Sequence, residues 1–208
     1  MLTILVNTYA GAPLHHMAHL VRSNPTADIR IVVNHAPQEG PSAWMNCDRA
    51  FRDWWRLYGH TVDRSSTVVL LEQDVLVTKP LPELFPYGFV CKKIEQGPEW
   101  YWWSKHVPLL PERLRQLALG MVPLAVLFTR PHVLDQVFAR HYDGVYAIDM
   151  ICELRMGTLA HDQCLNITEM DMPGVQWHPV EFDFTDPAVR EWGLYHAVKK
   201  PVDAGLFQ

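Results

Sequence analysis

Short runs rich in Val, Ile and Leu alternate with helix-like stretches from the first residues of this chain, and that alternation restricts its fold more than any other feature. The runs are "LTILVNT", "IRIVVNH" and "TVVLLEQ", followed later by "YGFVCKKI" and "PLAVLFT". Apolar runs of this length suit strands covered on both faces. Between the first two lies "LHHMAHLVRS", a compact helix. Between the second and third lies "SAWMNCDRAFRDWWRLYG", with Ser42 placed to cap its start and Gly59 to stop it. The result is a βαβαβ beginning, hence an α/β class. Crossovers of this kind make consecutive strands parallel, and ligands of such sheets bind beyond the carboxyl ends of the strands.

The second half is less regular. "PLPELFP" reads as a proline-punctuated turn, "RPHVLDQVFARH" as a short helix and "AIDMICELRMGTLAHDQ" as a longer one. No repeat or linker separates the halves, so both are expected in one sheet and one domain of 1–208. With 208 residues, 49% of them hydrophobic and 20% charged, the chain supports one core. Eighteen basic against 23 acidic side chains leave a net charge of −5, which argues against coating nucleic acid. The opening "MLTILVNTYAG" reads as a strand with no basic region ahead of it. The longest apolar stretch, "MVPLAVLF", is too short to span a bilayer and contains Pro123. Cys47, Cys91, Cys152 and Cys164 show no CxxC spacing, which speaks against a zinc ribbon or a disulfide framework. A reduced, cytoplasmic setting is expected.

The chemistry concentrates at "TVVLLEQDVLVTKP", residues 67–80, where Glu72, Gln73 and Asp74 interrupt two apolar runs. In an extended segment positions 72 and 74 point to the same side, so both carboxylates can converge on one cation. Two buried acids side by side need a positive compensator. Oxygen ligation suits Mg²⁺ or Mn²⁺, which complete their coordination with water and phosphates. The alternative is a pair of acids ending a strand in solvent.

With "EQD" in that place the chain resembles GT-A type glycosyltransferases. The resemblance implies a GT-A like α/β fold, in which a Rossmann-like, nucleotide-sugar-binding half (1–80) continues through a mixed sheet into an acceptor-binding half (81–208). The family's D-x-D motif holds Mn²⁺ or Mg²⁺ against the diphosphate of a nucleotide sugar, so Glu72 and Asp74 are the implied metal ligands, Glu72 standing where the first Asp is usual. "LYHAVKKP" is similar to the family's H-P-V-K or H-x-x-G-x-x-K-P segment. This implies His196 as a further ligand and Lys199 on the phosphates, with Ala197 in place of the proline and the glycine missing. "NTYAGAP" implies that Thr8 and Tyr9 contact base and ribose, with Asn46 a further candidate. The implied donor is a nucleotide-diphosphate sugar, a UDP-sugar being expected.

"PEWYWWS" supplies Trp100, Trp102 and Trp103 as stacking surfaces for an acceptor, or else as anchors of a loop. The acceptor class stays open: glycan, protein, small molecule or, less in keeping with the charge, modified nucleic acid. Asp149 and Glu153 share a helical face by i, i+4 spacing, and Glu153 is the candidate base; a salt bridge to Arg155 or Arg113 is the structural alternative. His15, His16 and His19 lack acidic or thiol partners and read as helix surface. A non-catalytic nucleotide-sugar-binding module is the main alternative function, and a nucleotidyltransferase a more distant one.

Overall fold

A computed structural model describes residues 1–35, 45–92, 97–120, 122–176 and 180–207; Ser42 lies outside the described residues. The chain starts with strand β1 (Leu2–Tyr9), helix α1 (Met17–Ser23), β2 (Asp28–Asn34), α2 (Cys47–Tyr58) and β3 (Thr67–Glu72). β4 (Leu76–Val77) and β5 (Gly88–Cys91) follow, then β6 (Val126–Thr129), α3 (Pro131–Val137), α4 (Cys152–Asp162), β7 (Asn166–Glu169) and β8 (Leu194–Tyr195).

Six strands form one mixed sheet in the order β2-β1-β3-β6-β5-β7, and β4 pairs with β8 in a small second sheet. β1 runs parallel to both β2 and β3, whereas β6 runs antiparallel to both β3 and β5. The apolar runs are strands because the sheet is covered on both sides: Leu2 to Thr8 and Thr67 to Leu71 are all buried. On one face Leu5 and Leu70 pack with Phe51 and Trp55 of α2 and Leu154 of α4. On the other, Ile4, Val6 and Val69 pack with Leu20 of α1.

The two crossovers therefore lie on opposite faces, and the chain reverses direction across the sheet between β1 and β3. That reversal opens a crevice at the carboxyl ends of these two strands. Register places Asn7 beside Glu72 there. Among the described residues, no helix is long and apolar enough to cross a membrane.

Four local expectations change. Gly59 follows α2 with φ −58° and leads into a 3-10 turn, so it is not a left-handed stop. Its lack of a side chain serves packing, since a Cβ there would meet the Trp55 ring at 2.8 Å. Helix α1 begins only at Met17, leaving His15 and His16 ahead of it. His16 and His19 are buried rather than on a helix surface, because a segment from the far end of the chain packs over them.

The fourth change is that α4 begins at Cys152, so Asp149 lies outside the helix and does not share a helical face with Glu153. The cause is competition for backbone groups. His106 Nδ1 accepts the Ile151 amide at 2.7 Å, and the Arg155 guanidinium donates to the carbonyls of Ile148 and Met150 at 2.8 and 3.2 Å.

Candidate metal and nucleotide site

Glu72 ends β3, and the chain turns at once, with the Val75 amide bonded to the Glu72 carbonyl at 3.1 Å. The two acids thus converge across a turn and not along an extended strand. Asp74 is buried and Glu72 half-buried. A turn so enclosed follows from the apolar residues on both sides of it: Val75, Leu76 and Val77 return immediately to the core.

The third member arrives from the other end of the chain. β8 pairs antiparallel with β4, and the strap beyond it is pinned at three points. The His196 amide donates to Gly174 O at 3.0 Å, the Gln176 amide to His196 O at 2.9 Å, and the Val198 amide to Asp74 O at 2.9 Å. Close approach makes Gly174 necessary, because a Cβ there would lie 2.1 Å from the Leu194 carbonyl oxygen. Gly174→Ala is expected to displace β8 and His196 together and to weaken Mn²⁺ binding ~10-fold, as disturbed ligand orientation does. Calorimetric titration checks this, and an unaltered affinity would detach the strap from the metal site.

The resulting cluster brings Glu72, Asp74 and His196 together, with one ligand atom from each within 4.8 Å of the others. His196 Nε2 lies 3.4 Å from Glu72 Oε2 and 3.6 Å from Asp74 Oδ1. Its Nδ1 donates to the Gln176 carbonyl at 2.7 Å, which aims Nε2 at the carboxylates. Burial disfavours the imidazolium, yet the two carboxylates outweigh it and the pKa of His196 is raised. The gap between these three atoms calls for positive charge, as a proton or a cation. Neighbouring ligands of an octahedral Mg²⁺ sit about 3 Å apart, so closing around an ion would draw the two carboxylates in from their 3.4 and 3.6 Å distances to His196 Nε2. The donor set therefore fits a divalent ion.

Lys199 Nζ donates to Asp74 Oδ2 at the exposed side of the cluster. Thr8 Oγ1 donates to Gln73 Oε1 at 2.8 Å, joining the ends of β1 and β3. Tyr9 is half-buried at the end of β1. The buried Asn7 Oδ1, which sequence reasoning passed over, has no hydrogen-bond partner among the described residues. A buried acceptor left unmatched beside Glu72 is a position where a donor from a ligand or a water belongs.

Behind this cluster the first turns of α2 and α4 meet. Arg155 and Asp48 are both fully buried, and Arg155 Nη1 donates to both carboxylate oxygens of Asp48, at 2.6 and 2.7 Å. Arg155 also donates to Asn46 Oδ1 at 3.1 Å, and Asn46 Nδ2 donates to Asp149 Oδ1 at 2.7 Å. Asn46 and Asp149 are thus brought together. Neither expected partner of Glu153 takes that role: Arg155 pairs with Asp48, and Arg113 with Asp162 at 3.1 Å.

Glu153 instead accepts from the Cys152 thiol at 3.0 Å, and Cys47 Sγ lies 3.8 Å from Glu72 Oε1. Burial raises the pKa of Glu153 to about 7, with the Glu72 carboxylate adding to the rise. For Cys47 the contact with Cys152 lowers the thiol pKa, while burial and the Glu72 carboxylate lift it, to about 12 in all. Cys47 is therefore a neutral donor near pH 7.

Trp100 is buried in the core, where its ring cannot meet an acceptor, whereas Trp102 and Trp103 are half-buried and Tyr101 is exposed. Trp102 packs edge-on to His106 at 5.2 Å, and His106 holds Ile151 just ahead of α4. The aromatic loop consequently borders the segment that leads into Glu153. No signal in the sequence marked Gln176 as the partner of His196, His16 as a partner of the Val198 carbonyl or Arg155 as the partner of Asp48, since each pairing is made by the fold.

Among solved structures the chain is similar to a crystal structure of an active-site mutant of LgtC, at 11% identity over 98% of this chain and 92% of that chain, with a TM-score of 0.49. It is also similar to a structure of the galactosyltransferase LgtC in complex with donor and acceptor sugar analogs, at 12% identity, 93% and 86% coverage and a TM-score of 0.46. No protein-family model matches the chain, and no curated protein does.

Proposed function

We propose that the chain is a metal-dependent glycosyltransferase of GT-A type, moving a sugar from a nucleotide-diphosphate donor to an acceptor hydroxyl. The supporting observation is the cluster of Glu72, Asp74 and His196 at the carboxyl end of β3, with Lys199 on its exposed side. Bound there, Mn²⁺ or Mg²⁺ would neutralise charge growing on the departing diphosphate. Glu72, Asp74 and His196 would hold the ion, the Gln176 carbonyl keeps the imidazole turned, and Lys199, beside Asp74, would be placed for a phosphate oxygen. Thr8, Tyr9 and the unmatched Asn7 face the nucleotide, a UDP-sugar in this reading.

On the acceptor side, Trp102 and Trp103 flank the sugar or other planar group, and Glu153 takes the hydroxyl proton. A carboxyl whose pKa is about 7 is poised for that work at neutral pH. Trp100 supports the loop from inside, and Asp149 with Asn46 shapes the cleft wall.

A panel of nucleotide sugars with and without Mn²⁺ tests the reading. Metal-dependent donor hydrolysis or transfer is the expected result, with an acid limb in the rate near pH 7. Tight donor binding without turnover, even when acceptors are supplied, would point to the non-catalytic module instead. Glu153→Gln should remove transfer while leaving donor binding.

Glu153→Gln should also change the pH dependence of stability. Glu153 binds its proton more tightly folded than unfolded, so its contribution to stability is complete below pH 4.5 and is lost as pH rises through about 7. Glu153→Gln is then expected to melt higher than the parent at pH 8, with the gap closing towards pH 4. A gap that does not change with pH would remove the raised carboxyl from the account.

A further inference from the structure

Cys47 opens α2 and Cys152 opens α4, the two helices whose first turns meet behind the metal cluster. The residues are 105 apart in sequence, yet their sulfur atoms are separated by only 3.4 Å. Both side chains are buried, so packing fixes their approach. Each sulfur also touches a carboxylate of the candidate site, Cys47 that of Glu72 at 3.8 Å and Cys152 that of Glu153 at 3.0 Å.

We propose that Cys47 and Cys152 are a modification site: a small peroxide converts them to a disulfide, and the bridge weakens divalent-metal binding by withdrawing Cys47 from Glu72. This rests on the metal reading above. A bridge requires a sulfur separation of about 2.05 Å, so the sulfurs must close by about 1.4 Å. The bridge carries no S–H, so Cys47 no longer donates towards Glu72 Oε1 and Cys152 no longer donates to Glu153 Oε2.

The chemistry balances with one peroxide. As the Cys152 sulfur bonds to one peroxide oxygen, the O–O bond breaks and the thiol proton passes through Glu153 Oε2, to which it is hydrogen-bonded, onto the departing oxygen in the same step, so that water leaves and a sulfenic acid remains on Cys152. Cys47 sulfur then attacks the Cys152 sulfur, the S–O bond breaks, and the leaving hydroxide takes the Cys47 proton as a second water. Two thiols are oxidised and one peroxide is reduced. Burial of both sulfurs favours a small oxidant over a peptide disulfide.

The intact chain is treated with hydrogen peroxide and mapped by non-reducing peptide mass spectrometry. Mn²⁺ affinity is measured by calorimetry before oxidation, after it, and after dithiothreitol. A linked Cys47/Cys152 peptide is expected, with the Kd for Mn²⁺ raised ~10-fold, the range for a lost contact to a metal ligand, and restored by reductant. Cys152→Ser keeps a hydroxyl beside Glu153 but cannot bridge, and its Kd should be the same with and without peroxide.

Oxidation confined to the exposed Cys164 would overturn the proposal, as would a linked protein that binds Mn²⁺ as tightly as the reduced one. A reduced chain that binds no Mn²⁺ overturns the metal reading and with it the effect on affinity, while the linked peptide is scored independently.

Discussion

Asp74→Asn is expected to lower metal-dependent turnover ~100-fold or more and to weaken Mn²⁺ binding at least ~10-fold, with the fold intact. The substitution replaces a carboxylate by an amide of the same shape, so what it removes is charge and a metal-binding oxygen. Asp74 is 8% exposed, and its backbone carbonyl holds the Val198 amide. Because that bond is made by the main chain, the strap carrying His196 and Lys199 stays docked. The side chain is different: Oδ1 faces His196 at 3.6 Å and Oδ2 faces Lys199. In the proposed site the ion would then lose one of its acidic ligands, and Lys199 would lose the carboxylate it pairs with. Circular dichroism checks the fold and calorimetry the affinity. Equal Mn²⁺ affinity in variant and parent would end the metal interpretation.

The second large effect concerns stability. Arg155→Met is expected to cost about 3–5 kcal/mol, because it leaves Asp48 as an uncompensated charge in the core. Arg155 and Asp48 are both fully buried and share two hydrogen bonds. Burial disfavours the guanidinium charge, but Asp48 outweighs it and raises the Arg155 pKa. The same side chain holds Asn46 and the carbonyls of Ile148 and Met150. Its loss would therefore loosen the segment before α4 as well as strand the acid. Urea unfolding gives the magnitude. Adding Asp48→Leu should recover a large part of the loss, since apolar replacement of a whole buried pair is often near neutral. A single-variant loss below about 1 kcal/mol would mean that water reaches Asp48.

Much of the first half was legible because its signals are local. The runs containing Ile4, Val32 and Leu70 are apolar whatever lies next to them, and each became a strand; those of Ile4 and Leu70 are buried on both faces, whereas that of Val32 lies at the sheet edge with Ile31 and Val33 exposed, because among the described residues no further strand lies beyond it. The position of Glu72 and Asp74 at the end of such a run was readable for the same reason. Helix boundaries were less so: α4 starts three residues beyond Asp149 because His106 and Arg155 take the backbone groups that another turn would need. Trp100 and Trp102, two residues apart in one aromatic run, have different fates, since only tertiary packing decides which ring turns inward.

By itself the sequence determined the class of fold, the parallel start of the sheet and the acidic end of β3, because hydrophobic period and strand crossover depend on neighbours along the chain. The partners of those acids were decided in three dimensions. His196 reaches Glu72 only because β8 lies against β4 and Gly174 lets it close; Cys47 meets Cys152 only because two helices start at the same place. His196 and Lys199 were marked only through the resemblance of "LYHAVKKP", and the Cys47–Cys152 contact across 105 residues left no pattern in the sequence, since the free energy that makes such contacts comes from burial of the intervening core.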